Sequence, residues 1–591
     1  MVRPLKGLAR AALLGAILFA AIPARATIGY EISVAQPEQH QFRVAMTIPA
    51  VRGQATIQMP AWNALYQIRD FAYHVSNLRA TDDAGRLLRV AKLDKQTWRV
   101  SGEGNVTVRY ESYWDEPGPF ASQLNASHAF VNLAMVLCYL PERRGEAVSL
   151  SLNDLPAGWH AATALRSTSA AAGYTATNYD ALVDAPIEMG AFELFEVGGI
   201  GPRVKVAVHG DHWTREQLEE AVRRLVTYET QLMRSVPFDE YVFIFHIGAS
   251  AGRASGMEHA NSTAISGETL PQVVDVAAHE FFHLWNVKRI RPQSLEPVDY
   301  TREQWTRSLW FAEGVTSTYE YYALLRSGLW TERQFYEQLA GVMADIESRP
   351  ARRWKSPEES SLDAWLEKYP LYRGPEYSVS YYDSGQVLGV LLDILIRDAT
   401  DNRASLDDVL RDLNEHFAKR GRFYRDSADI RASVERIAGR SFEEFFSRYV
   451  AGADEFPYAD VLGRAGLELK AVNRARATFG FVSGRGPEGA ILVGRVEPGS
   501  AAEHAGIHEG DILLALEADP FPRVAERWLR EHQPGETVHI RLRRNGEERE
   551  VAFALGEDGA QTFVIEEAPR PSEKQRRIRE GLLHGTTDAV R

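Results

Sequence analysis

From residue 28 to about 200, apolar and polar side chains alternate in short runs such as Gln41-Phe42-Arg43-Val44-Ala45-Met46-Thr47-Ile48 and Val106-Thr107-Val108-Arg109-Tyr110. Alternation with a period of two, broken by turn residues, predicts a β-rich N-terminal domain. Its expected role is that of a scaffold. The period then lengthens. Trp213 to Val236 repeats at helical spacing, and Thr214 with Gln217 forms a capping box at its start. Residues 241–248 are almost continuously apolar and read as a strand, along whose edge an extended peptide could lie. Residues 273–291 predict a helix uninterrupted by Gly or Pro, and residues 309–322 predict another. Amphipathic stretches follow at about 331–346, 379–398, 405–419, 427–438 and 441–451. Composition changes after Phe456-Pro457, where a last globular unit opens. Beyond about Asp558 the chain is polar and of mixed charge, with Lys574-Gln575-Arg576-Arg577, and reads as a mobile tail or short helix.

At 591 residues, the chain suggests roughly four domains. Its 45% hydrophobic and 25% charged residues place it among globular proteins. The start differs from the rest: Arg3, Lys6 and Arg10 precede an apolar run from Ala11 to Ile22, then Pro23-Ala24-Arg25-Ala26. This is the pattern of a secretory signal peptide cleaved near Ala26, and predicts a periplasmic or secreted protein. The run is short for a bilayer span and no Cys follows the cleavage site, so no stable membrane anchor is expected. Losing Arg3, Lys6, Arg10 and Arg25 takes the formal charge from −13 to −17. An acidic chain without a basic stripe excludes the nucleic-acid-binding class. Cys138 is the single cysteine, expected to be buried and inert, so packing and metal have to stabilise the fold.

The chemistry concentrates at His279-Glu280-Phe281-Phe282-His283. On a helix the two imidazoles lie one turn apart on one face and can grip a single cation, while Glu280 is placed to take a proton from a water there. The competing reading leaves both imidazoles as hydrogen-bonded core residues. Glu313, flanked by Leu309-Trp310-Phe311-Ala312, is the candidate third ligand, because a carboxylate among such neighbours is costly to bury without a cation. Glu320 lies two turns further along that face and would either hydrogen-bond a liganding imidazole or meet solvent. Two His and one carboxylate leave a position open for water, as in catalytic rather than structural zinc.

Residues 279–292, HEFFHLWNVKRIRP, and 309–316, LWFAEGVT, resemble the glycyl aminopeptidase family of metallopeptidases in its metal-binding and third-ligand segments. Residues 255–263, SGMEHANST, resemble that family's exopeptidase segment. The resemblance implies one zinc ion per chain on His279, His283 and Glu313, and a gluzincin, thermolysin-like catalytic domain over residues 204–457. It also implies that Glu258 binds the substrate's free amino group and that Tyr382, in Ser380-Tyr381-Tyr382-Asp383-Ser384-Gly385, stabilises the oxyanion. Ser384 replaces an expected Lys, and Tyr381 competes for the same role. The family's Pro-Ala-Trp-x-Pro-Gly-x-Tyr segment appears as Pro60-Ala61-Trp62-Asn63-Ala64-Leu65-Tyr66, without the Pro-Gly turn. Residues 493–514, VGRVEPGSAAEHAGIHEGDILL, together with Phe479-Gly480-Phe481, resemble a PDZ domain and its carboxylate-binding loop.

The expected architecture is multidomain α+β: a signal peptide (1–26), a β-rich domain (27–203), a zinc peptidase domain with a helical lobe (204–457), a PDZ domain (465–558) and a tail (559–591). The expected function is a zinc aminopeptidase acting on peptides with small first residues such as Gly or Ala, with Glu280 and Tyr382 catalytic. A peptide or protein C-terminus is the expected partner at the PDZ domain. The alternatives are a zinc endopeptidase whose PDZ domain captures substrate, and an inactive PDZ scaffold.

Overall fold

The computed structural model describes residues 27–588, apart from 64, 171, 249–253, 368–373, 474–475, 487–488, 523–524 and 559–560. The expected signal peptide, residues 1–26, lies outside the described residues. Among those described, no helix is long and apolar enough to cross a membrane.

The fold is multidomain α+β with a β-rich N-terminal part. Two long strands, Gln41–Gln58 and Thr97–Tyr113, form an antiparallel ribbon toward one end of an eight-stranded sheet. Their register breaks between Ile48 and Val51, where Pro49 offers no N–H and Ala50 takes a positive φ of 56°. Alternate residues Phe42, Val44, Met46 and Ile48 are buried, as their spacing predicts. Cys138 lies in this core, where burial pushes its thiol up to about 12 and leaves it inert.

A second, four-stranded sheet carries His128–Val131 and Ile187–Gly190 as antiparallel neighbours. It faces a five-stranded sheet ordered Glu193–Glu196, Arg203–Gly210, Glu240–Ile247, Ser262–Gly267, Ser255–Glu258. The apolar strand Glu240–Ile247 is therefore interior, parallel to both neighbours, and not the edge expected from its sequence. Continuous hydrophobicity is what a strand covered on both faces requires. Val204, Val206, Val208, Tyr241, Phe243 and Phe245 face the helices, while Ala207, Val242 and Ile244 face the four-stranded sheet. The edge strand is Ser255–Glu258.

Helices Arg215–Met233, Leu270–Phe282, Thr316–Arg326, Glu332–Ser348 and Tyr381–Ala399 pack into one large core. Thr214 caps the first, accepting from Gln217 N at 3.3 Å. The segment expected as a mobile tail or short helix does hold a helix, and it is packed. Gln561–Glu567 pairs antiparallel with Leu467–Asn473, and helix Glu573–His584 buries Ile578, Leu582 and Leu583 in the main core. Those three residues form one apolar face, which the polar average of the segment hides. Between the two paired strands, residues 477–555 build a sheet with its own core around Phe479, Val493, Leu513 and Ile540. Phe479 and Phe481 are buried there, with Phe479 stacked on Trp528 at 5.6 Å. Gly480, at φ +72°, gives its amide to Thr478 Oγ1 at 3.1 Å.

Candidate active site

The motif helix, Leu270–Phe282, begins with a complete capping box between Thr269 and Gln272. It ends earlier than its apolar sequence predicts, so the motif sits at its C-terminal end rather than its middle. Residues 283–290 continue as turns. Their carbonyls are taken locally: His283 Nδ1 donates to Asn286 O at 2.7 Å, and Arg289 donates to Leu284 O, also at 2.7 Å. These bonds replace the helical ladder and make the early stop inexpensive.

Glu313 lies in a π-helical turn, Trp310–Val315, directly ahead of helix Thr316–Arg326. The wider turn re-aims its side chain toward the motif helix. Glycines let helix Tyr381–Ala399 close in from the other side: a Cβ on Gly314 would lie 2.7 Å from Tyr381 O and 2.8 Å from Gly385 C. Any larger residue would separate the helix bearing Tyr382 from the one bearing Glu313.

Glu313 Oε2 lies 3.2 Å from His283 Nε2 and 3.5 Å from His279 Nε2. Donor atoms of all three residues fall within 4.8 Å of one another, and all three residues are buried. The far ring nitrogens are occupied, since His279 Nδ1 meets Glu320 Oε2 at 3.3 Å and His283 Nδ1 donates to Asn286 O. Each Nε2 lone pair is thereby turned inward, the arrangement that outer carboxylates and carbonyls impose on metal-binding imidazoles. Two imidazoles and one carboxylate suit a single borderline divalent cation. Glu320 thus sits on the imidazole; the carbonyl of Asn286, whose amide donates to Phe311 O at 2.8 Å, carried no legible signal in an apolar run.

Glu280 Oε2 is buried without a hydrogen-bond partner among the described residues. Burial pushes Glu280 up to about 8 against the pull of His279 and His283, and a cation beside it would lower it again. Burial acts the same way on Glu313, but the two imidazoles win and hold that carboxyl well below the usual range. Glu280 approaches the edge strand so closely that a Cβ at Gly256 would lie 2.5 Å from its Oε1. Glu258, two residues along that strand, brings a carboxylate oxygen within 4.8 Å of donor atoms of Glu280 and His283.

All these groups line one cleft of about 700 Å³. Tyr382 is on its wall, its ring 6.0 Å from that of His279, whereas Tyr381 is buried against Leu309 and Ala364. The N-terminal part is more than a scaffold. Leu65, Tyr66 and Phe120 also line the cleft. Burial, then the Glu313 and Glu258 carboxylates, push the Tyr66 phenol well above its ordinary value. Asp184 accepts from Ala260 N at 3.0 Å and from Lys288 Nζ at 2.7 Å, fixing the residues after Glu258 to the turns after His283. Tyr66 follows a tryptophan-bearing loop visible in the sequence, but Asp184 had no neighbouring motif to mark it.

A buried pair of imidazoles with two converging carboxylates, open to a cleft beside an edge strand, defines a metal-centre candidate of hydrolytic type. Residues 29–191 match the family model described as the Peptidase M61 N-terminal domain, and residues 272–388 match that of the M61 glycyl aminopeptidase. Among solved structures, the chain is similar to an aminopeptidase N family protein from Idiomarina loihiensis, at 24% identity and a TM-score of 0.82, over 94% of this chain and all of that one. That likeness shows the fold. Yeast LTA4 hydrolase in complex with bestatin is more distant, at 14% identity and a TM-score of 0.43, over 75% of this chain and 71% of that one. No curated protein matches.

Proposed function

We propose that the chain is a zinc-dependent aminopeptidase. The observation that carries this reading is the position of Glu258 beside Glu280 and His283. Four carboxylates, Glu258, Glu280, Glu313 and Glu320, crowd two imidazoles, and one divalent ion neutralises only part of that charge. A substrate ammonium at Glu258 supplies the rest, and selects the peptide by its free amino end. When bound, zinc polarises a carbonyl oxygen and lowers the pKa of a water molecule. Glu280 takes the proton of the attacking water and passes it to the departing amine. Tyr382 donates to the developing oxyanion, a bond worth on the order of 3 kcal/mol. Leu65, Tyr66 and Phe120 line the same cleft, and the resemblance to glycyl aminopeptidases favours a small first residue such as Gly or Ala. The domain layout fits a thermolysin-like peptidase carrying a C-terminal PDZ domain, whose free edge strand Phe481–Arg485 would add an extended peptide. The start of the sequence supports a periplasmic or secreted location.

Glu280→Gln is expected to retain the metal while hydrolysis of amino-terminal Gly or Ala substrates falls by several orders of magnitude. The wild-type chain is expected to cleave a free peptide and spare its N-acetylated twin. Equal cleavage of both peptides would favour the endopeptidase reading instead.

A further inference from the structure

Away from the cleft, the interface between the four-stranded and five-stranded sheets ends in a second cluster of metal-ligating side chains. His128 and Glu188 come from the neighbouring strands His128–Val131 and Ile187–Gly190 of one sheet. His209 and His246 are direct partners across the parallel strands Arg203–Gly210 and Glu240–Ile247 of the other. All three rings point at the buried Glu188 carboxylate: His128 Nδ1 at 2.9 Å, His246 Nε2 at 2.9 Å and His209 Nε2 at 3.5 Å. Gly190 makes room for them, since a Cβ there would lie 3.1 Å from His209 Nε2 and 3.1 Å from His128 Cβ.

The hydrogen-bond network around His128 says what the cluster lacks. Gln123 Nε2 donates to Asp115 Oδ1 at 3.0 Å, which orients the amide so that its Oε1 faces His128 Nε2 at 3.2 Å. That ring nitrogen is therefore the N–H donor. A neutral imidazole has one N–H, so Nδ1 presents a lone pair to the Glu188 carboxylate at 2.9 Å. Two acceptors that close need a cation between them. His246 Nε2 meets the other oxygen of the same carboxylate, and donor atoms of His128, Glu188 and His246 all fall within 4.8 Å of one another. His209 Nε2, 3.5 Å from that carboxylate, is buried without a hydrogen-bond partner among the described residues and stands beside the cluster. A proton on His128 would satisfy one of these contacts; a metal ion satisfies His128, Glu188 and His246 together.

We propose that His128, Glu188 and His246 form a second metal site for a zinc-like divalent ion, distinct from the His279, His283 and Glu313 centre. His128 and Glu188 come from one sheet and His246 from the other, so the ion bridges the two sheets away from the cleft and its role is structural. It staples the N-terminal part to the central sheet, where the intervening core is thin: Phe130, Ala162, Ala207, Val242, Ile244 and Ala264. That docking holds Tyr66 against the cleft and Asp184 against Ala260 and Lys288.

Full-length protein loaded with zinc and gel-filtered is expected to hold two ions per chain by mass spectrometry. His283→Ala is expected to retain one, and His283→Ala with His128→Asn to retain none. His128 is the most exposed of the three ligands, which suits it to a variant that still folds. A thermal-unfolding midpoint of His283→Ala that rises with added zinc, and ceases to rise once His128→Asn is included, is the second readout. One ion in the wild type with none in His283→Ala would overturn the proposal. So would an ion in His283→Ala that survives the His128 substitution.

Discussion

Gly256→Ala tests the site through a residue that is not itself a reacting group. The added Cβ would lie 2.5 Å from Glu280 Oε1 and 2.6 Å from Glu280 Cδ, where ordinary contact begins at 3.4 Å. The backbone at Gly256 does not have a positive φ, so alanine is tolerated by the strand and the conflict falls on Glu280. Buried and packed, that side chain must retreat by about 1 Å, a misplacement that costs on the order of 10²-fold in rate, or ~2.7 kcal/mol. Glu280 is not among the three converging ligands, so the metal content is expected to stay unchanged. Gly341→Ala serves as the control. It lines the same cleft from the middle of helix Glu332–Ser348, and a Cβ there meets nothing within 4 Å among the described residues. The assay is kcat/KM on an amino-terminal alanyl substrate, with zinc measured in the same preparations. Gly256→Ala is expected to lose about two orders of magnitude and Gly341→Ala less than about threefold. Equal activity in the two variants would refute the placement of Glu280 against the edge strand.

Three further outcomes follow from the same structure. Tyr382→Phe is expected to lower kcat on the order of 10²-fold, because the residue is on the cleft wall, while Tyr381→Phe loses less than about tenfold; steady-state kinetics that reverse this order would move the oxyanion role to Tyr381. Burial, then Glu320, push Asp275 up to about 7 from its ordinary 3.8. The folded state then holds a proton that the unfolded chain has released, so stability falls as pH rises from about 4 to 7. For this half-buried group, Asp275→Asn is expected to gain about 2 kcal/mol above pH 7, a gain that shrinks toward pH 4; thermal-unfolding midpoints with the same offset at every pH would contradict it. Leu582→Ala, in the helix near the C-terminus, is expected to cost about 2–5 kcal/mol because the residue is buried in the main core. A change within ~0.5 kcal/mol in chemical denaturation, as for a surface residue, would mean that helix is not docked.

The chemistry-bearing residues were largely legible because they sit in two local patterns. His279, Glu280 and His283 are one helical turn, and Glu313 with Glu320 is another helical face, so spacing alone aligned each set. What spacing cannot give is the meeting of the two sets, which depends on the Gly314–Gly385 approach and on a π-helical turn with no sequence signature. The end of the motif helix was missed for a related reason. Leu284, Trp285 and Val287 continue the apolar run, and the bonds that stop the helix come from His283 and Arg289 side chains acting over short tertiary distances. Strand Glu240–Ile247 illustrates the opposite error: its hydrophobicity marked a strand correctly but not its place in the sheet, since burial on both faces reads as one unbroken run. Asp184, Tyr66 and the His128 cluster depend on residues from distant parts of the chain. In sequence they are isolated polar groups among strands, and only the docking of two sheets gives them partners.

Crystals of the zinc-loaded protein, with anomalous diffraction recorded at the zinc absorption edge, test the central claim most directly. A peak about 2.0–2.2 Å from His279 Nε2, His283 Nε2 and a Glu313 oxygen is the predicted result. A fully loaded crystal with no peak between these three residues, or with the Glu313 carboxylate turned away from both imidazoles, would contradict it.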